Sequence, residues 1–385
     1  MEISGYRRQD GSLGVRNHLL VISSVFCANR AVEKIGLALP EVVAVTHAQG
    51  CGMLGDDLAQ MERTMVGFAT NPNVAAVLVI GLGCETFGAP GFVEKLGAAG
   101  QTVEYLVVQE NGGTRTTAER GIEIARKLLA HAATFKREKA SLAELILSTE
   151  CGGSDACSGI TANPALGWAS DRVVRAGGTV ILAETPEMIG AEHLLARRAA
   201  TPEIGEQVLN MINGYEAKVK ATGADIRGAN PSPGNMRGGL TTIEEKSLGC
   251  ILKGGHTPVQ EVLGYAQRPA KKGLVLMDTP GQDVEQLTAM IAGGSQIAVF
   301  TTGRGNPMGS PIAPVIKVST NSSLFCRMEE NMDLDAGVIL SQGKSIAEVG
   351  QQIVDEIVQV ANGKLTKAEI SGERQFGFTR IGPTT

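Results

Sequence analysis

No apolar run in this 385-residue chain approaches the roughly 20 residues that cross a bilayer. The N-terminal stretch MEISGYRRQDGSLGVRN is polar and lacks the apolar centre of a signal peptide. A membrane partner is therefore not expected, and the expected location is the cytoplasm. A net charge of -5 leaves no basic footprint for nucleic acid. The dinucleotide fingerprint is missing: the first β-rich run is followed by FCANRAVEKIG, without G-x-G-x-x-G. GLGCETFG misses it in place and spacing, and no Walker A sequence occurs. No CxxC pair exists, which argues against a structural zinc knuckle. Aromatics make up only 4% of the chain, whereas glycine reaches 49 residues, a balance that suits α/β folds with tight strand-to-helix turns. In a cytoplasmic chain of this size, seven cysteines read as thiols or metal ligands rather than disulfides.

Short β-rich runs alternate with helical runs throughout. HLLVISSV (18–25), EVVAVTH (41–47), VAAVLVIGLG (74–83) and VEYLVVQE (103–110) are each followed by a helical pattern. Val, Ile and Leu without polar alternation indicate parallel strands buried on both faces. A first α/β domain is expected over 1–138, with the charged stretch FKREKASLAE (135–144) as the connection. A second series runs through LILSTE (145–150), GTVILAE (178–184), GLVLMDT (273–279), QIAVFTT (296–302) and PVIKVST (314–320). The expected fold is thus α/β: two Rossmann-like parallel-sheet domains, 1–138 and 139–385. The second carries a mainly helical insertion at about 186–270, in which 228–249 reads as a polar loop too rich in Gly and Pro to form an element.

Ligands of open parallel sheets bind outside the carboxyl ends of the strands. The unusual residues fall there: VTHAQGCG, GLGCETFG, STECGGSDACSG, AETPE, MDTPG and TTGRGNPMG each follow a strand. Turns need Gly and Pro, but that does not account for the Cys, His, Glu and Arg between them. Cys51, Cys84 and Cys151 each follow a strand beside glycine, and soft thiolates at one sheet edge select iron or zinc. Three such thiols suit an iron–sulfur cluster with one open iron, or part of a mononuclear iron site. His47 and Glu85 share those loops. Cys27 and Cys326 read as small buried hydrophobes, while Cys157 and Cys250 fit either reading.

Asn163-Pro164 reads as an N-cap followed by a proline at the first helical position. It would deliver Cys151, Ser154 and Asp155 beside the positive end of a helix, where a carboxylate is favoured. Thr185-Pro186 repeats the device, and on the helix that follows, Gly190 and His193 share a face. Thr241 or Thr242 with Glu244 or Glu245 has capping-box spacing, with Lys246 on the same turn. Arg304, between two glycines, suits a bidentate grip on a carboxylate.

Taken together, GYRRQDGSLGVRN, THAQGCGM, IGLGCE, CGGSDACSGITANPALG, LAETPEMIGAEHLLARRA, GGLTTIEEKSLG, MDTPG and FTTGRGNPMG resemble blocks of the altronate/galactarate dehydratase family, in its order, over about residues 5–340. The resemblance implies a hydro-lyase that dehydrates sugar-derived hydroxy acids to 2-keto-3-deoxy acids with Fe2+, sometimes Mn2+. Family members also carry a small N-terminal antifreeze-like domain. This chain opens at GYRRQDG, so the resemblance implies a large subunit with a separate small partner, in a homo- or hetero-oligomer.

A sister branch, the sulfolactate sulfo-lyase large subunit, eliminates sulfite instead of water and resembles the metal-type loops less closely. CGGSDACSGITAN is also locally similar to a cysteine loop of the dihydroxy-acid dehydratases. Within the dehydratase reading, the metal pool is His47, Cys51, Cys84, Glu85, Cys151 and Asp155, and Cys51, Cys84 and Cys151 are the alternative iron–sulfur set. The acid/base candidates are His193, Glu187 and Lys246. The substrate contacts are Arg16, Arg304, Ser154 and Asn163. A nucleotide-dependent oxidoreductase and a non-catalytic binding subunit are the competing classes, disfavoured by the missing glycine fingerprint and the dense reactive strand ends.

Overall fold

The computed structural model describes all residues, 1–385. Its first parallel sheet comprises β1 (His18–Ser23), β2 (Val43–Val45), β3 (Val74–Gly81) and β4 (Val103–Val107), in the order β2-β1-β3-β4. Every residue of β3 is buried, which is why it reads as an unbroken apolar run rather than an alternating one. Helices α1 (Asn29–Ala38), α2 (Gly55–Ala69), α3 (Ala89–Ala98) and α4 (Thr114–Ala132) follow the strands in turn.

The second sheet has seven parallel strands: β5 (Ile146–Cys151), β6 (Thr179–Leu182), β7 (Val259–Leu263), β8 (Gly273–Met277), β9 (Ile297–Thr302), β10 (Val315–Ser319) and β11 (Leu334–Asp335). Their order is β7-β8-β6-β5-β9-β10-β11. From β5 the chain builds outward through β6 and β8, then returns to place β9 on the other side. The crevice between the carboxyl ends of β5 and β9 is the switch point at which open sheets bind ligands. Helices α5 (Ala162–Arg175), α6 (Pro202–Ala221), α7 (Ile243–Cys250), α8 (Asp283–Ala292) and α9 (Ile346–Ala361) cover or flank this sheet. No helix is long and apolar enough to cross a membrane.

Several expectations change. The stretch 135–144 is not a bare connection: Arg137–Ser141 pairs antiparallel with Glu2–Arg7, which also pairs with Leu13–Gly14. Charged residues suit that strand because most of its side chains reach water. The insertion is not only helical, since it contains the edge strand β7. Nor is 228–249 only loop: it holds a short helix at Pro233–Arg237, capped by Ser232, and most of α7, capped by Thr242. Helix α5 starts at Ala162 after Thr161, so Asn163 lies inside its first turn rather than capping it. Pro164 is tolerated there because first-turn N–H groups have no intrahelical acceptor.

The two sheets share one apolar core. Leu20, Ile22, Val77 and Val79 of the first meet Ile181, Val275 and Phe300 of the second through Met61, Met65 and Phe68 of α2 and Leu287, Met290 and Ile291 of α8. A methyl group at Gly67 would lie 2.4 Å from the Ala292 carbonyl oxygen, so glycine lets α2 approach the end of α8. On its other face, the second sheet is covered by α5 and α9, where Gly350 lies against Trp168.

Candidate active site

The carboxyl ends of β5 and β6 carry the densest group of ionisable side chains. Cys151 ends β5. Glu184 follows β6 in a left-handed conformation, φ 77°, a backbone state that costs a residue other than glycine about 1 kcal/mol or more. Its N–H donates to Thr279 Oγ1 at 2.8 Å, and Thr185 Oγ1 donates to Asp278 Oδ1 at 2.7 Å, which ties the ends of β6 and β8 together. The 3-10 turn Thr185–Glu187 then presents Glu187, while Cys250 ends α7 and Lys253 follows one turn later.

Donor atoms of Cys151, Cys250, Glu184 and Glu187 all lie within 4.8 Å of one another. The two thiol sulfurs are 3.8 Å apart, and Cys151 Sγ is 3.6 Å from Glu184 Oε2 and 3.5 Å from Glu187 Oε2. Lys253, 0% exposed, donates to Cys151 Sγ at 2.7 Å, Cys250 Sγ at 3.1 Å and Glu184 Oε2 at 3.2 Å. All three ammonium protons therefore have acceptors. Lys246 pairs with Glu187 and donates to Asn230 Oδ1 at 3.0 Å and Asn235 Oδ1 at 3.2 Å.

The electrostatics divide the cluster. The hydrogen bond to Cys250, together with the Lys253 charge, brings the Cys151 thiol down to about 7, while Cys250 is held up as a neutral thiol. Burial and the nearby Glu187 and Cys151 raise the Glu184 carboxyl. Burial is the largest influence on Glu187 and penalises its charge, but Lys246, the hydrogen bond with Glu184 and Lys253 together outweigh it, and Glu187 ends below the usual carboxylate range. Burial opposes the Lys246 charge too, yet Glu187 and Glu184 hold that ammonium above its ordinary value.

A cavity of about 380 Å³ opens on this cluster, lined by Cys151, Gly152, Gly153, Glu187, Asn230, Asn235, Lys246, Asp283 and Arg304 among others. Glu184, Cys250 and Lys253 do not line it. They form a buried layer beneath Cys151 and Glu187.

Of the residues expected at the site, the structure brings Cys151, Glu187, Lys246 and Arg304 into this cavity. The others take different roles. His193 is exposed and does not line the cavity, and Gly190, rather than opening space for a ligand, leaves room for Glu244. Arg16 is no free clamp: its guanidinium pairs with both carboxylate oxygens of Glu369 at 2.7 and 2.8 Å and donates to the carbonyls of Val15, Val360 and Lys364. Asn163 spends its amide on the Gly249 carbonyl and on Thr301 Oγ1, and Ser154 is buried with its carbonyl accepting from Asn235. Asp155 accepts from Ser158, Thr320 and Asn321, so its carboxylate joins the loops after β5 and β10. A methyl group at Gly303 would lie 2.1 Å from the Asp155 carboxyl carbon.

The first-sheet members of the metal pool stay apart from the cluster. His47 Nε2 lies 2.8 Å from the Ser23 carbonyl and its Nδ1 accepts from Gln49 N–H. Glu85 accepts from Ser24 Oγ and from the N–H groups of Leu82, Gly83 and Cys84, organising its own loop. Cys51 and Cys84 are exposed thiols on loops of the first sheet, and neither belongs to the donor group around Cys151, which partners Cys250 instead. Cys27 and Cys326 are exposed rather than buried.

Sequence reading missed Glu184, Cys250 as a participant, Asp283 and Lys253. Glu184 stood in the flagged stretch AETPE, and Cys250 and Lys253 are three residues apart, one helical turn. A lysine among apolar residues otherwise reads as solvated.

Residues 142–384 match the family described as D-galactarate/Altronate dehydratase, C-terminal, and residues 5–133 match D-galactarate dehydratase/Altronate hydrolase, second domain. Altronate dehydratase of Escherichia coli (strain K12) is 38% identical over 394 residues, covering 100% of this chain and 78% of that protein. Galactarate dehydratase (L-threo-forming) of the same organism is 38% identical over 380 residues, 94% of this chain and 72% of that protein. The (2R)-sulfolactate sulfo-lyase subunit beta of Chromohalobacter salexigens is 37% identical over 383 residues, 98% of this chain and 97% of that protein.

Proposed function

The chain belongs to the D-galactarate/altronate dehydratase family, and from that membership we propose how its own residues carry out the elimination. It is a carbon–oxygen lyase acting on a sugar-derived hydroxy acid, which loses water to give a 2-keto-3-deoxy acid. The observation that carries the site assignment is the convergence of Glu187, Lys246, Cys151 and Arg304 on one cavity at the β5/β9 switch point.

The chemistry requires removal of a proton next to a carboxylate, which places a second negative charge on the substrate. Arg304, solvent-accessible at the cavity wall, grips the substrate carboxylate. Glu187, held ionised by Lys246, accepts the C2 proton. The Lys246 ammonium then faces the developing enediolate and lowers its energy by direct charge stabilisation. Asn230 and Asn235, which fix the Lys246 head, also offer amide groups to substrate hydroxyls. The resulting enol tautomerises to the keto acid. This work falls to the second unit, 139–385, with 1–138 as its support.

The buried Cys/Glu cluster is able to bind a metal ion. Mixed thiolate and carboxylate donors suit iron. Cys151, Cys250 and Glu184 would hold it, with Glu187 left to the cavity; these three are also the acceptors of the Lys253 ammonium. Such an ion supplies Lewis acidity for the substrate carboxylate and hydroxyl.

A panel of D-altronate, D-galactarate and (2R)-sulfolactate, assayed for 2-keto acid and for sulfite, tests the reading. Keto acid from a sugar acid without sulfite is expected. Sulfite release would favour the second reading, a sulfo-lyase large subunit, whose support is the near-equal length of the Chromohalobacter relative. That relative's designation as subunit beta also supports a separate partner subunit, which co-purification of tagged protein tests.

A further inference from the structure

One carboxyl group on the cavity wall has no part in the elimination as described so far. Asp283 is the first residue of α8, at the tip of the loop after β8, and it lines the cavity together with Glu187, Lys246 and Arg304. Its Oδ2 accepts one hydrogen bond, from Asn306 Nδ2 at 2.5 Å. The chain makes room for it: a methyl group at Gly152, next to Cys151 on the cavity floor, would lie 2.3 Å from that oxygen. Gly152 therefore admits the carboxyl to the space where substrate must sit.

Behind Asp283 the sheet is built unusually. Glu150, Phe300 and Lys317 occupy one row across β5, β9 and β10 and project to the same face. Glu150 and Lys317 are both 0% exposed, and neither the Glu150 carboxylate oxygens nor the Lys317 ammonium has a hydrogen-bond partner. The Lys317 ammonium sits 3.4 Å from the centre of the Phe300 ring. The same phenyl ring lies against Gly152, the residue that the Asp283 carboxyl also approaches.

We infer that Asp283 is the acid that protonates the departing C3 hydroxyl. The inference rests on the dehydratase reading of the site. Of the remaining ionisable cavity groups, Cys151 is engaged by Lys253 and by the donor group beneath the cavity. Lys246 directs its ammonium to Glu187, Asn230 and Asn235, and an arginine does not release its proton. Burial and the neighbouring Glu187 raise the Asp283 carboxyl to about 6, against the opposing charges of Lys317 and Lys246.

Atoms and electrons balance. Glu187 takes the C2 proton, and the C2–H electron pair becomes the C2–C3 double bond. The C3–O bond breaks with its electrons on oxygen, and that oxygen receives the Asp283 proton and leaves as water. Asp283 is left as a carboxylate and recovers its proton from solvent, to which Glu187 returns the one it took from C2. As the enol becomes a ketone, C3 gains a proton and the C2 hydroxyl loses one, so the net change is the loss of one water.

The test compares two leaving groups on one sugar acid: the native C3 hydroxyl and a 3-deoxy-3-fluoro analogue, whose fluoride departs without protonation. In D283N, keto-acid formation from the hydroxy substrate should fall by about 10²–10⁴-fold, while fluoride release stays within about fivefold of wild type. Equal loss on both substrates in a protein with native circular dichroism, or undiminished dehydration, overturns the assignment. If D283N does not fold, N306A decides: it removes the hydrogen bond to the carboxyl, together with the acceptor of the Met308 N–H, and should slow dehydration roughly tenfold while sparing fluoride release. Equal effects on the two substrates there would count against Asp283. Failure of the underlying reading is visible earlier and separately, as a wild-type enzyme that forms no keto acid from any sugar acid.

Discussion

The two parallel sheets end in loops that look alike in sequence and behave differently in space. THAQGCG and GLGCE close strands of the first sheet, and STECGG closes a strand of the second, each with a cysteine beside glycine. In the first sheet the polar groups satisfy one another locally. Glu85 is spent on its own loop's N–H groups, His47 on Ser23 and Gln49, and the thiols of Cys51 and Cys84 point to water. In the second sheet Cys151 meets partners 33, 36 and 99 positions away, and two lysines are buried to balance them. Locally satisfied loops shape a fold. Charges brought together from distant segments and kept from water carry a desolvation cost that chemistry can justify.

The largest effect expected from this contrast is catalytic. Glu187→Gln should lower kcat by about 10²–10⁴-fold, measured on the best substrate of the panel, whereas Glu85→Gln should leave the rate near wild type. Next is stability. Lys253→Met strips three buried acceptors of their counter-charge and should cost about 3–5 kcal/mol in urea unfolding. A loss below about 1 kcal/mol would mean that the cluster is not held by that ammonium.

A smaller effect concerns pH. Burial lowers the Lys317 ammonium to about 7 in the folded protein. Between pH 7 and about 10 the unfolded chain therefore binds more protons at this site, and its contribution to stability rises with pH, by at most about 1.4 kcal/mol per pH unit. Lys317→Met should flatten that rise in urea melts at pH 7 and 9. The smallest effect separates the two edges most directly. Cys51→Ser combined with Cys84→Ser should change bound metal and turnover by less than about twofold, because both thiols are exposed and outside the donor group. Cys250→Ser should abolish stoichiometric metal on atomic-emission analysis.

The core strands of both sheets were legible because burial on two faces leaves an apolar run that few other elements share. The polar strand Arg137–Ser141 was not, since half of its surroundings are water and its pairing partner lies at the other end of the unit. Within the site, residues at or just past a strand end (Cys151, Glu187, Arg304) announced themselves. Lys253 and Asp283 did not, because nothing in their neighbours along the chain shows that tertiary packing will bury one and aim the other into a cavity. Arg16 misled for the reverse reason: a loop arginine looks available until its partner, Glu369, arrives from 353 positions away.

Helix α8 belongs to both halves of the molecule. Its first residue stands in the cavity, and its last, Ala292, abuts Gly67 beneath the first sheet within continuous apolar packing. Prying the halves apart like a clamshell would wet that whole seam, so traffic of substrate and product has to pass elsewhere. The polar span 229–246 contributes Asn230, Asn235 and Lys246 to the cavity wall and is itself tied down there, Asn235 to the Ser154 carbonyl and Lys246 to Glu187.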